Sequence, residues 1–72
     1  MNEPDLIVLT LDGLAHSVPL KTTLAALVAS LGHVPDKVST AVNGLFVPRA
    51  LRDARLLEEG DAVLLFQPIV GG

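Results

Sequence analysis

Two dipeptides, Asp12-Gly13 and Asn43-Gly44, constrain this chain more than anything else in it. Each stands between short runs rich in aliphatic residues. A type I′ turn needs positive φ at both central positions. Asp-Gly and Asn-Gly adopt that geometry readily, and the turn matches the twist of the strands it joins. Leu6 to Leu11 (LIVLTL) and Leu14 to Val18 therefore read as one hairpin. Pro19 ends its second strand, because proline has no N–H to donate. Ser39 to Asn43 and Phe46-Val47 read as a second, shorter hairpin closed by Pro48.

Between the hairpins, Thr22 or Thr23 can cap a helix start. Leu24, Leu27, Val28 and Leu31 recur at helical spacing and share one face. Gly32 stands where a left-handed C′ residue stops the helix after two to three turns. After the second hairpin, Ala50 to Arg55 reads as a surface helical turn and Glu59-Gly60-Asp61 as a tight turn. Ala62 to Gln67 (AVLLFQ) is the final strand. Its near-continuous apolar character predicts burial on both faces and a central place, paired in parallel with an early strand. The order predicts an α+β fold over residues 1-67: a mixed four- to five-stranded sheet with one main helix on one face. Residues 68-72 are left as a flexible C-terminal diglycine tail.

The chain has 72 residues, enough for one domain. It contains no cysteine, which excludes a disulfide framework, a thiolate zinc site and a cysteine nucleophile. Half the residues are hydrophobic, and Phe46 and Phe66 are the only aromatics. With a net charge of −3 and no aromatic stacking platform, nucleic acid is not the expected partner. The acidic N-terminus lacks the positive region of a signal peptide, and no apolar run approaches the roughly 20 residues of a membrane span. A cytoplasmic protein is expected.

The last five residues, Pro68-Ile69-Val70-Gly71-Gly72, carry the chemistry. Pro68 ends the sheet. Two glycines let another backbone approach closely, and a terminal glycine carboxylate is the least hindered a protein can offer. A carboxylate is a poor electrophile and reacts only after activation, usually as an acyl-adenylate made from ATP. The chain has no Gly-Lys-Ser or Gly-Lys-Thr phosphate loop for that step, and its lack of cysteine means that any sulfur arrives from outside. It reads as a protein substrate with no bound cofactor, its ATP used by a partner enzyme.

Three stretches resemble the ThiS family, within the wider group that includes MoaD. They are Ala41-Val42-Asn43-Gly44-Leu45-Phe46-Val47-Pro48-Arg49, then Glu59 through Gln67 with its Gly60-Asp61 turn, and Ile69-Val70-Gly71-Gly72. The resemblance implies a β-grasp, ubiquitin-like fold and a sulfur carrier for the thiazole of thiamin. It further implies that a ThiF-like adenylating enzyme activates Gly72. A sulfur donor protein then supplies the thiocarboxylate sulfur, which a ThiG-like thiazole synthase consumes. By the same resemblance Gly71 gives access, Ile69 and Val70 guide the tail, and Phe66 and Leu64 dock partners together with Arg49. Several positions depart from the family pattern. Residues 1-5 form a short leader, Asp12-Gly13 replaces a common Asn-Gly, Ala50 stands where Glu is frequent, and Pro68 is closer to MoaD. A MoaD-like carrier for molybdopterin and a passive ubiquitin-like interaction module remain the alternatives.

The remaining chemistry-bearing residues have plainer readings. His16 is expected to face solvent and His33 to lie in the loop after the helix, without a carboxylate cluster to make a metal site. Arg49, Arg52 and Arg55 are expected on one solvated side of a helical turn. Glu58, Glu59 and Asp61 read as a solvated turn in which Asp61 bonds local backbone. Phe46 and Phe66 read as core, or Phe66 as a half-exposed anchor, since aromatics are enriched at binding hot spots. Leu64 and Phe66 share one face of the last strand and Leu65 the other.

Overall fold

The computed structural model describes residues 5–67. The predicted tail of 68-72, with Ile69, Val70, Gly71 and Gly72, lies outside the described residues, as do the first four residues of the leader. Strands β1 (Leu6–Leu11) and β2 (Leu14–Pro19) form the first hairpin, in a register that closes at Leu11↔Leu14. Asp12 and Gly13 take φ values of 51° and 86°, the pair of left-handed conformations that a type I′ turn requires.

Helix α1 (Leu24–Ser30) follows. Thr23 caps it, its side-chain oxygen accepting the Ala26 N–H at 3.1 Å, which satisfies one of the donors left over at a helix start. Gly32, at φ 83°, turns the chain out of the helix. The Gly32 and His33 N–H groups donate back to Ala29 and Val28, so the last carbonyls are not orphaned.

A short 3-10 turn (Pro35–Lys37) leads to β3 (Ser39–Val42) and β4 (Leu45–Val47), joined through Asn43 and Gly44 at φ 54° and 83°. A 3-10 helix (Arg49–Ala54) and the final strand β5 (Ala62–Phe66) complete the chain. The sheet order is β2-β1-β5-β3-β4. Strand β5 lies in the middle, parallel to β1 and antiparallel to β3. Leu57 anchors the return segment. Its N–H donates to Thr22 and the Leu24 N–H donates to Arg55, tying this segment to the helix start.

One helix of seven residues can cover only one face of such a sheet. The core lies between them, built on Ile7, Leu9, Leu24, Leu27, Val42 and Val63. This corrects the expectation that β5 is buried on both faces. Val63 is fully buried and Leu65 partly so, whereas Ala62, Leu64 and Phe66 are exposed on the opposite face. The strand is central because it pairs on both edges, and among the described residues no second layer packs on its far side. His16 also departs from expectation. It lies on the helix side of β2, cross-strand from buried Leu9, and is half-buried.

Two polar clusters correct the remaining expectations. The three arginines do not share a solvated side. Arg52 is only 4% exposed. Its Nε donates to Thr40 Oγ1 at 3.1 Å, and its two terminal nitrogens donate to the Pro35 and Val38 carbonyls at 3.1 and 2.6 Å. The loop entering β3 has carbonyls with no strand opposite, and a planar fork with five donors can meet several of them at once. Arg49 is exposed and paired with Asp36, and Arg55 reaches Asp61 at 3.4 Å.

Asp61 bonds local backbone as expected, accepting the Glu58 N–H at 2.8 Å. It is nevertheless buried, because its other oxygen accepts from Asn43 Nδ2 at 3.0 Å. Asn43 in turn accepts the Ala62 N–H at 2.9 Å. The tight turn before β5 and the turn between β3 and β4 are thereby locked together.

Candidate functional site

In an antiparallel pair, residues directly opposite each other lie on the same face of the sheet. The registers Ala41↔Leu64, Ala41↔Phe46 and Ser39↔Phe66 therefore gather residues of β5, β3 and β4 on the face that α1 leaves uncovered. From β1, alternation adds Leu6 and Val8, because Ile7 and Leu9 point to the core. Thr10, Ala15, Ser17 and Ala62 complete this face. Among the described residues, no ionisable side chain of a strand interrupts it.

Its apolar members are large and open to solvent: Leu64 is 45% exposed, Phe66 47% and Phe46 63%. Exposed apolar area gathered on one face is the kind of surface on which proteins meet partners. It sits at the root of the last five residues, since Phe66 ends β5 and Gln67 is the next residue out. Round the β4 edge, Phe46 also lines an open groove of about 400 Å³ with Val47, Pro48 and Leu51.

The structure brings Leu64 and Phe66 together on this face and sets Arg49 apart from them. Arg49 begins the 3-10 helix on the helix side of the sheet. There it borders a depression of about 200 Å³ with Ala25, Val28 and Arg52. Among the described residues, no group of three His, Asp or Glu side chains could hold a metal ion, and no helix is long and apolar enough to cross a membrane.

Val8, Ala41 and Phe46 belong to the open face but were not legible as a group. The run LIVLTL is apolar at both phases of its alternation, so it does not say which phase meets the helix. Phe46 could have been placed beside Ala41 from the Asn43-Gly44 turn, which fixes that register.

A single helix laid across a mixed sheet, with the last strand running parallel to the first in its centre, is the β-grasp arrangement of ubiquitin-like proteins. The fold is shared with a computationally designed protein based on human erythrocytic ubiquitin, at a TM-score of 0.57 and 24% identity over 94% of this chain and 96% of that one. A closer likeness is to the crystal structure of the thiamine biosynthesis protein ThiS from Geobacter metallireducens. That likeness has a TM-score of 0.81 and 26% identity over 92% of this chain and 100% of that one. The ThiS family model matches residues 8–72, and the chain belongs to the ThiS family. A comparison with curated proteins finds no match.

Proposed function

We propose that this protein carries sulfur for the thiazole ring of thiamin, acting in the cytoplasm as a protein co-substrate. The observation that carries this reading is the ThiS family match, which runs through residue 72 and so includes Ile69-Val70-Gly71-Gly72.

In this reading the Gly72 carboxylate attacks the α-phosphorus of ATP on a ThiF-like adenylating enzyme and expels pyrophosphate. A persulfide on a donor protein then displaces AMP to give an acyl disulfide with the donor, and a thiol reductant cleaves its S–S bond, leaving the thiocarboxylate and a disulfide on the donor side. A ThiG-like thiazole synthase takes that sulfur. The chain's own contribution is positional. Leu64, Phe66 and their apolar neighbours dock the partner. Gly71 lets the partner's backbone close around the tail, and Ile69 and Val70 give it side chains to hold. Arg49, on the helix side, contributes only where a partner also reaches that side of the sheet.

The test is intact mass spectrometry after incubation with ATP, a ThiF-type enzyme and a sulfur donor. Replacing one oxygen by sulfur adds about 16 Da, and the gain is expected on Gly72. Deletion of Gly72 is expected to abolish it. No gain, with an enzyme that modifies its own carrier in parallel, would refute the proposal.

A further inference from the structure

Strand β1 divides its backbone groups between two neighbours. Toward β5, the Val8 N–H donates to Glu59 Oε1, and the Thr10 and Asp12 N–H groups donate to the Asp61 and Val63 carbonyls. Successive residues of a strand point their N–H and C=O to alternate sides, so Ile7, Leu9 and Leu11 turn theirs to β2. Their partners there, Val18, His16 and Leu14, spend their own groups on that ladder. Ala15, Ser17 and Pro19 then face outward. Pro19 has no N–H, and its carbonyl already accepts from Thr22. The outer edge of β2 is left with the N–H and C=O of Ala15 and Ser17, both exposed. Among the described residues, no strand pairs with it.

Natural edges carry a charge, an internal proline or a bulge that discourages pairing. Strand β2 has none of these. Leu14–Pro19 holds no Asp, Glu, Lys or Arg, its proline stands last, and its register with β1 runs unbroken. The opposite edge of the sheet offers less. The Asn43 N–H donates to Ala62, so Ala41 also faces β5, and its β4 partner Phe46 is the one residue of Leu45–Val47 that faces out.

The geometry points to β2 as a dimerisation edge: a second copy of this chain adds its own β2 antiparallel to the first, with Ala15 opposite the second copy's Ser17. Such a pair lies on a two-fold axis, here through His16. Each Ala15–Ser17 pair exchanges both its hydrogen bonds, and no free edge group is left over. The neighbouring registers do worse, since one sets Ala15 against Pro19 and the other sets Ser17 against the turn residue Gly13. In the favoured register Pro19 and Gly13 face each other at both ends, so a longer foreign strand would gain nothing beyond what a copy supplies. Leu14, 73% exposed, comes to lie opposite the second copy's Val18. The strands bring no like charges together, although each chain carries −3. The axis runs perpendicular to the sheet, so both open faces stay on one side of a doubled sheet and remain free. This pairing goes beyond the carrier reading and does not depend on it.

So short a ladder makes a small interface, and a weak dimer is expected, with Kd on the order of 0.1–1 mM. His16 tests the register. It meets its own copy across the axis as a non-hydrogen-bonded pair, with Cα atoms about 4.5 Å apart, within the span of a disulfide. The two Ser17 residues lie on a diagonal, about 7–8 Å apart, where a disulfide does not form without backbone movement. The chain has no cysteine of its own, so His16→Cys and Ser17→Cys each report one position. Ser17 is the more exposed of the two, so accessibility alone favours the opposite order. His16→Lys sets like charges directly across from each other, and Ser17→Pro removes an outward N–H. Both leave the ladder to β1 intact.

The experiment is sedimentation equilibrium of the full-length chain at concentrations either side of that Kd, with amide hydrogen exchange followed by NMR in the same samples. The wild type is expected to dimerise. Exchange at Ala15 and Ser17 should slow as concentration rises, while Leu14, His16 and Val18, bonded to β1 in either state, should not change. His16→Lys and Ser17→Pro should stay monomeric. If one of them is unfolded by circular dichroism, the other and the cysteine pair carry the test. Under air oxidation His16→Cys should cross-link at least about tenfold faster than Ser17→Cys. A wild type still monomeric at about 1 mM would overturn the proposal, as would equal cross-linking of the two cysteines. A dimer that perturbs Leu64 and Phe66 and gives Ala15 and Ser17 no protection would overturn it too, because the copies would then meet through the open face.

Discussion

Replacing Phe66 by alanine separates docking from folding, because the neighbouring Val63 gives the opposite case on the same strand. Full burial of a phenylalanine is worth about 1.5–3 kcal/mol. Phe66 already leaves 47% of its surface in water, so its loss should destabilise the fold by only about 1 kcal/mol, or some 4–8 °C in Tm. Val63 is fully buried, and Val63→Ala removes two methyl groups and leaves a cavity, for about 2–3 kcal/mol. Binding should show the reverse order. An aromatic anchor desolvated in an interface is worth about 2 kcal/mol or more, which raises Kd roughly 30-fold. Val63 meets only its own core, so Val63→Ala protein that is still folded should bind as wild type does. Circular dichroism melts give the stabilities, and calorimetric titration against the proposed partner, a ThiF-type adenylating enzyme, gives the affinities. Unchanged binding by Phe66→Ala would refute the assignment of the open face. A loss of stability matching Val63→Ala would instead show that Phe66 acts as core.

Three further perturbations follow from the same contacts. Arg52→Leu leaves Thr40 and the Pro35 and Val38 carbonyls without their donor. It should cost about 3–5 kcal/mol, seen as a lower urea midpoint at unchanged slope. Asp61→Ala unlocks the two turns it joins. About 2–3 kcal/mol should be lost, with faster amide exchange at Glu58. Gly44→Val forces a β-branched residue to φ 83°, and a drop of at least about 1–2 kcal/mol should appear in the melting temperature.

The turns were legible because their chemistry is local. Asp12-Gly13, Asn43-Gly44 and Gly32 each demand positive φ, and each stands where the structure has it. The helix was legible from Thr23, the Leu24-Leu27-Val28 spacing and Gly32. The burial of β5 was misread because its run AVLLF is apolar at both phases, whether a second layer covers it or not. Arg52 was misread because its partners, Pro35, Val38 and Thr40, lie well before it in sequence. No local pattern says that a loop's spare carbonyls will converge on one side chain. For the site, Leu64 and Phe66 were legible as one face of a strand. Their company with Val8, Ala41 and Phe46 depended on the pairing of strands far apart in the chain. Asp12 was legible as a turn residue, but not as the acceptor of the Leu65 N–H from near the other end of the chain.

Strand β5 lies between β1 and β3 although it is the last to be made. Pairings between residues so distant in the chain are slow to form, because a long loop must close before they gain anything. During synthesis the two hairpins and the helix can form early, but the sheet stays split into two halves until Ala62 to Phe66 emerges and enters the gap. The residues that complete the sheet, Leu64 and Phe66 among them, are also those that present the open face. A nascent or prematurely ended chain therefore lacks the assembled surface altogether. A partner that recognises that surface selects folded molecules over chains whose synthesis stopped short of β5.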